Sequence, residues 1–406
     1  MGRAGLAQAR EHRRAYRRDS RDEAGEARDD PRSWSIPLSE RRRLFFLDNL
    51  RAVVIGMVIV LHASITYMAY PPEWWYVLDP DRSLPFTMVV LLVDVPLMPI
   101  LFFVAGYFAL PSLERRGPRG FIREKLVRLA IPWIVGVVFL APLATYMTYV
   151  SRHVPMGYLE FWTTDFWGPM FQQSVYWFLG VLFAEFVALV WVYAASPRLR
   201  ASAPRVEQPR PRLFVAFIAL TAAGSILFSP SFGLDDWLPL WILFVVQPAR
   251  IAFYVGYFAL GIYAERRGWF SAAGFRPDLG PWGWGSVLAG LAYVAFRLSG
   301  PLATGPGRAI AAVLFSTFCL TALIAGIGLF QRKVDGAGRA WRTLAANSLG
   351  IYYLHPLILY PLAYVLLDLP APSLAKATIL VLVTLAVSLA VSALILKRLP
   401  GTRRVF

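Results

Sequence analysis

Phe45–Tyr70 reads FFLDNLRAVVIGMVIVLHASITYMAY. As a helix rising ~1.5 Å per residue, it is long enough to cross the ~30 Å hydrocarbon core of a bilayer. Beyond Asp48 near its start, two ionisable side chains, Arg51 and His62, interrupt its apolar character. Charged groups at membrane depth cost a few kcal/mol to insert and mark functional positions by default. At ~100° per residue the eleven-residue spacing returns to the same helix face, with the side chains ~16 Å apart along the axis. One face therefore carries a cation near a membrane surface and an imidazole about halfway across. A satisfied core histidine is the plainer reading of His62. Asp48, three residues before Arg51, is placed to orient the guanidinium rather than to act chemically.

The rest of the chain is built the same way. Hydrophobic residues make up 57% of the sequence and charged residues 16%, far from ordinary soluble usage. Uncharged apolar stretches fall at Leu129–Ser151, Leu213–Leu234, Leu279–Phe296, Ala309–Phe330 and Ala377–Leu396. Further spans carrying a few ionisable residues fall at roughly 46–70, 86–110, 174–195, 241–265 and 344–367, which predicts an all-α polytopic bundle of about ten transmembrane helices. A soluble fold is excluded, because 406 residues cannot cover so large an apolar core.

Charge placement orients the bundle. Alternate connections are rich in Lys and Arg: Arg41–Arg43 with Arg51, Arg115–Arg128, Arg198–Arg212, Arg266–Arg276, Arg332–Arg342 and Lys397–Arg404. The opposite connections hold only Arg82, Arg152, Arg297, Arg308 and Lys376. The positive-inside rule then puts both termini in the cytoplasm. The net charge of +16 is this topological signal spread over separate segments, and no nucleic-acid partner is implied. Residues 1–43 read as a disordered basic cytoplasmic tail, 44–397 as the membrane domain and 398–406 as a short cytoplasmic C-terminus. A cleaved signal peptide does not fit, since the first span is too long for one. The linker Ser196–Arg212 is Pro- and Arg-rich and reads as a flexible loop. Cys319 is the lone cysteine, and no metal-ligand spacing occurs.

Other polar residues lie at membrane depth. In Asn347–Tyr360 (NSLGIYYLHPLILY), Ser348, Tyr352 and His355 form one polar stripe. Pro356 frees a backbone carbonyl one turn earlier, which needs a new partner. Function, substrate contact or helix–helix hydrogen bonding would each account for the stripe. Asp94, in LLVDVPLMPILFF, must be neutral or paired, with His62 or Arg250 as the obvious partners. Glu185 reads as half of a structural ion pair. Trp177 reads as an interfacial anchor or a substrate platform. Two mechanisms fit these residues. One is proton-coupled transport through a relay of His62, Asp94 and His355. The other is group transfer across the membrane, from a donor docked on cytoplasmic arginines to an acceptor met at the imidazole.

Five features occur in order: Arg51 and His62 with ten residues between, Phe102–Phe108 (FFVAGYF), Arg123–Trp133 (REKLVRLAIPW), Tyr176–Leu179 (YWFL) and Asn347–Pro356 (NSLGIYYLHP). Together they resemble the acyltransferase-3 family of bacterial ten-helix membrane acyltransferases, over about residues 44–397. The DNLR opening at Asp48–Arg51 and the Trp-Phe-Leu motif look most like the glucan-biosynthesis protein C branch, which succinylates periplasmic glucans. The resemblance implies an acyl-CoA donor approached from the cytoplasm, His62 as the catalytic histidine and Arg51 on its donor side. There are departures. The family's Arg-x-x-Arg is Lys125-x-x-Arg128 here, its Ser before Gly in the second span is Ala105, and Leu182 stands where a Glu falls in the O-acetyltransferase branch.

The physics of transfer agrees with that expectation. A sugar hydroxyl attacks a thioester only with a base in hydrogen-bond reach, and histidine titrates in the right range. Arg51, Lys125 and Arg128 are candidates for the phosphates of acyl-CoA. Asp94 is a catalytic candidate beside Arg51 and His62, and Trp177, Arg250, Tyr352 and His355 are substrate-binding candidates. The acceptor, an extracytoplasmic glycan or lipid-linked sugar, would enter past Trp74, Trp75, Trp162, Trp167 and Trp177. No metal is called for, the expected location is the bacterial inner membrane, and a homodimer is compatible with the sequence.

Overall fold

The computed structural model describes residues 44–402 apart from 202–204 and 241–243, together with Val405. The expected tail, 1–43, lies outside the described residues, as do 403, 404 and 406 of the C-terminal segment.

Most of the described chain is helical. Helix α1 is Phe45–Tyr67 and α2 is Leu84–Lys125. Residues 126–151 continue as α3, in which the π turns Leu126–Ala130 and Gly136–Leu140 alternate with the α segments Ile131–Val135 and Ala141–Ser151. There follow α4 (Tyr158–Thr163), α5 (Trp177–Ala195), α6 (Pro197–Ala201), α7 (Pro211–Phe228) and α8 (Ile251–Arg266). The last four are α9 (Leu279–Ser299), α10 (Gly305–Lys333), α11 (Arg339–Val365) and α12 (Ser373–Val391). Among the described residues, six helical runs are long and apolar enough to cross a membrane: α1, the 68-residue run Leu84–Ser151, Ser174–Ala195, α7, α10 and Ser373–Leu396.

Several expected boundaries move. Residues 115–128, expected as a basic loop, are helical, and the run bends at Gly117, whose φ of 68° lies in the left-handed region open to glycine. The expected span 241–265 opens instead on a small antiparallel pair, β1 (Leu238–Leu240) with β2 (Phe244–Val246). Its helix α8 starts only after the 3-10 turn Pro248–Arg250. The span expected to reach Leu234 ends at Phe228, just before the Ser229-Pro230 break. The linker is also less free than its composition suggests. Arg205 and Glu207 donate backbone N–H groups to the carbonyls of Arg266 and Arg267, and Arg267 pairs with Glu207.

Hydrogen bonds sort the helix termini into two ends. At the basic end, Phe46 N–H donates to Asp335, Asn49 to the carbonyls of Val334 and Gly336, and Arg266 pairs with Glu114. At the opposite end, the loop 68–83 returns along α1, with Asp79 N–H on the Thr66 carbonyl and Ser83 N–H on the Tyr67 carbonyl. Ser151 Oγ donates to the Tyr76 carbonyl at 2.8 Å. Arg152 donates to the carbonyls of Glu73 and Trp75, and Lys376 meets Asp79 at 2.9 Å.

The tightest helix crossing joins α2 to α8. A Cβ on Gly106 would stand 2.0 Å from the Phe258 carbonyl oxygen, and one on Gly261 would stand 2.2 Å from that of Phe103. Small residues let membrane helices approach to backbone contact. Gly106→Ala is therefore expected to push the two helices apart and to destabilise the protein by about 1–3 kcal/mol. A thermal unfolding series in detergent checks this, with Gly56→Ala as the control, because nothing lies within 4 Å of a Cβ there.

Candidate functional site

His62 does not sit at the middle of α1. The helix ends at Tyr67, so the imidazole lies about 7 Å from the end away from the basic tip. Its Nδ1 is 2.9 Å from Nε2 of His355, which comes from α11 and lies 293 residues away in sequence. The two rings stack with centroids 5.1 Å apart and planes 20° from parallel. His355 is fully buried, while His62 keeps part of its surface exposed. The second nitrogen of His355, Nδ1, lies 2.7 Å from the Tyr352 carbonyl. That is the carbonyl which Pro356 deprives of its helical donor.

Trp75 covers the pair from the loop 68–83, its ring 5.6 Å from that of His62. It is almost wholly buried and its Nε1 donates to Thr66 Oγ1 at 3.4 Å. Tyr360 meets Trp75 edge-on and Tyr76 at a centroid distance of 4.0 Å. The loop that supplies Trp75 is pinned by the buried Lys376–Asp79 pair, whose side chains are only 5% and 1% exposed. Sequence reasoning named Trp75 only as an entrance aromatic and missed Asp79 and Lys376 as its anchor. A lysine at the end otherwise poor in Lys and Arg was the available signal.

Arg51 lies on the same helix towards the basic end. It donates to Asp48 at 3.4 Å, as its spacing predicts, and to the Ala345 carbonyl at 3.3 Å. Lys125 and Arg128 gather instead on Glu124, at 3.8 and 3.4 Å, where Arg116 joins them. The Lys125 ammonium also rests 4.6 Å from the Phe186 ring. These are two separate basic clusters, and Glu124 already serves the second as its counter-ion.

The remaining candidates are placed elsewhere. Asp94 pairs with Arg250 at 2.7 Å and does not join the imidazoles. Of the three relay residues, the structure brings His62 and His355 together and places Asp94 on Arg250 instead. Arg250 is buried and committed: it also meets Asp235 at 2.5 Å and donates Nε to the Leu234 carbonyl at 2.7 Å. Arg297 holds the other oxygen of Asp235. Desolvation would raise the Asp235 carboxyl, but the guanidiniums of Arg297 and Arg250 outweigh it and hold it down to about 2. This network ties α2 and α9 to the loop before α8. Tyr352 spends its hydroxyl on the Val175 carbonyl, so it braces α11 against the start of α5. Trp177 is buried within the protein, packed at 5.3 Å on both Trp237 and Tyr254. Glu185, expected in an ion pair, finds no hydrogen-bond partner among the described residues. Among those residues no group of three or more His, Cys, Asp or Glu could hold a metal ion.

Comparison with known proteins supplies the chemical class. Residues 44–395 match the family model of the acyltransferase-3 type, described as an acyltransferase domain. The chain is similar to the "Glucans biosynthesis protein C" of three Escherichia coli strains, K12, O81 (ED1a) and O6:K15:H31 (536). Each is 23% identical over 343 residues, covering 80% of this chain and 84% of the relative. No solved structure matches.

Proposed function

Because the chain belongs to the acyltransferase-3 family across residues 44–395, we propose that it is an integral-membrane O-acyltransferase whose general base is His62. It moves an acyl group, acetyl or succinyl, from cytoplasmic acyl-CoA to a hydroxyl of an extracytoplasmic glucan or related glycan. The glucan is proposed on the name of its relatives, and the donor side on the basic end of the bundle. In this reading the run Leu84–Ser151 crosses twice about its bend, and α8, α9 and α11 cross as well. That makes about ten crossings of a bacterial inner membrane, with both termini in the cytoplasm.

The observation that carries the reading is the imidazole pair. A partly exposed His62 is backed by a fully buried His355 at 2.9 Å, with Arg51 on the same face ~16 Å towards the basic end. The acceptor hydroxyl gives its proton to His62 as its oxygen bonds to the thioester carbonyl carbon. The tetrahedral adduct then collapses, the carbon–sulfur bond breaks, and His62 returns the proton to the departing CoA sulfur. Arg51 would steady the donor's anionic portion. Lys125 and Arg128 would do the same by exchanging Glu124 for phosphate.

Arg51→Ala, Lys125→Ala and Arg128→Ala test the donor side. Each is expected to raise the half-saturating concentration of acyl-CoA by about tenfold, one partly exposed charge-assisted contact, and to leave that of the glucan nearly unchanged. Equal changes for both substrates would contradict docking of the donor at the basic end.

A further inference from the structure

We infer that Pro356 and His355 fix the tautomer of His62, so that Nε2 of His62 is the nitrogen that takes the proton and His355 is its positioning residue. The inference rests on the transfer reading above and adds which atom acts and what holds it ready.

The chain of hydrogen bonds begins at a proline. Pro356 has no N–H, so the carbonyl four residues earlier, that of Tyr352, loses its helical donor. Buried carbonyls are nearly always satisfied, and here the donor is a side chain from the same turn, His355 Nδ1 at 2.7 Å. A carbonyl carries no proton, so the hydrogen of this bond belongs to His355 Nδ1. His355 is fully buried, and among the described residues its ring bonds a carbonyl and another imidazole but no carboxylate. An imidazolium there would be an uncompensated buried charge, so the ring carries one proton and its Nε2 is a lone pair. That lone pair faces His62 Nδ1 at 2.9 Å. His62 must then donate from Nδ1, which leaves its own Nε2 bare.

The result is the orienting logic of a catalytic triad, built without a carboxylate. A backbone carbonyl takes the place of the charged third member and a second histidine stands between. It also explains why Asp94 can be committed to Arg250 at no loss to the site. The sequence motif behind it is short: Tyr352, His355 and Pro356 within one turn of α11.

The tautomer is directly readable. The chain holds four histidines, so the nitrogen-15 spectrum of histidine-labelled protein in lipid is assignable with His62→Gln and His355→Gln. The expected result is a protonated Nδ1 and bare Nε2 on both rings. A protonated Nε2 on His62 would overturn the inference while leaving the transfer reading intact, and the inferred tautomers without any acyl transfer would overturn that reading instead. Kinetics give a second readout. His355→Phe keeps a ring but offers no acceptor, and it is expected to lower kcat by at least about 10²-fold with both KM values little changed. His355→Gln, whose Oε1 stands near the former Nε2, is expected to recover part of that loss. Equal losses in the two variants, or a loss expressed in KM, would also overturn the positioning role.

Discussion

His62→Ala is expected to reduce acyl transfer by about 10²- to 10⁴-fold, the usual contribution of a positioned general base. A sugar hydroxyl holds its proton too tightly to attack a thioester on its own, and among the described residues the only side chain bonded to the free face of His355 is this one. The substitution is also clean. His62 is partly exposed, close to the end of α1, and among the described residues its side chain's hydrogen-bond and ring contacts are with His355 and the Trp75 ring. The protein should therefore remain folded, which thermal unfolding in detergent checks, while the acylated glucan formed per minute by proteoliposomes reports the activity. Activity within a few-fold of wild type in a folded variant would remove His62 from the chemistry.

Lys376→Ala carries the largest expected loss of stability, about 3–5 kcal/mol. Lys376 and Asp79 form a pair at 2.9 Å with side chains 5% and 1% exposed, so the substitution strands a carboxylate in an apolar surrounding. Asp79 also receives the Asp81 backbone N–H at 2.9 Å, and Asp81 in turn caps Ser373 at the start of α12 at 2.8 Å. The loop 68–83 depends on this knot, and Trp75 on that loop. Lys376→Ala is thus expected to lower the unfolding midpoint sharply and to lower transfer with it. Replacing both partners, Lys376→Met with Asp79→Leu, should recover most of the stability, since removing a buried pair together is far cheaper than breaking it. A double variant no better than the single one would show that the charge pair is not what holds the loop.

The sequence made much of this architecture legible, for physical reasons. Apolar length gave the helices, and the helical period put Arg51 and His62 on one face of α1, as it predicted the Asp48–Arg51 contact. Five short motifs in order pointed to the family that residues 44–395 match. The orphan carbonyl before Pro356 was also foreseeable, because it follows from the missing N–H alone. Its partner was not; the relay reading grouped His62 with His355, but only the packing of α1 against α11 makes them direct partners across 293 residues. The same limit applies to Asp94: two cations were plausible partners, and the turn Pro248–Arg250 delivers Arg250. That turn was itself hidden, since a short apolar run such as Phe244–Val246 reads equally well as strand or helix. The basic stretch 115–128 misled in the opposite direction. Arg, Lys and Glu are good helix formers, so its charge marked which end of the bundle it occupies rather than a loop.

The most direct test of the account is a single reaction. Purified protein in proteoliposomes is given acyl-CoA on the side of the basic end and a glucan on the other, and free CoA thiol and glucan ester are both counted. The account predicts one thiol released for each ester formed, with neither appearing when either substrate is omitted. Uptake of solute driven by a pH gradient, with no thiol released and no ester formed, would contradict it.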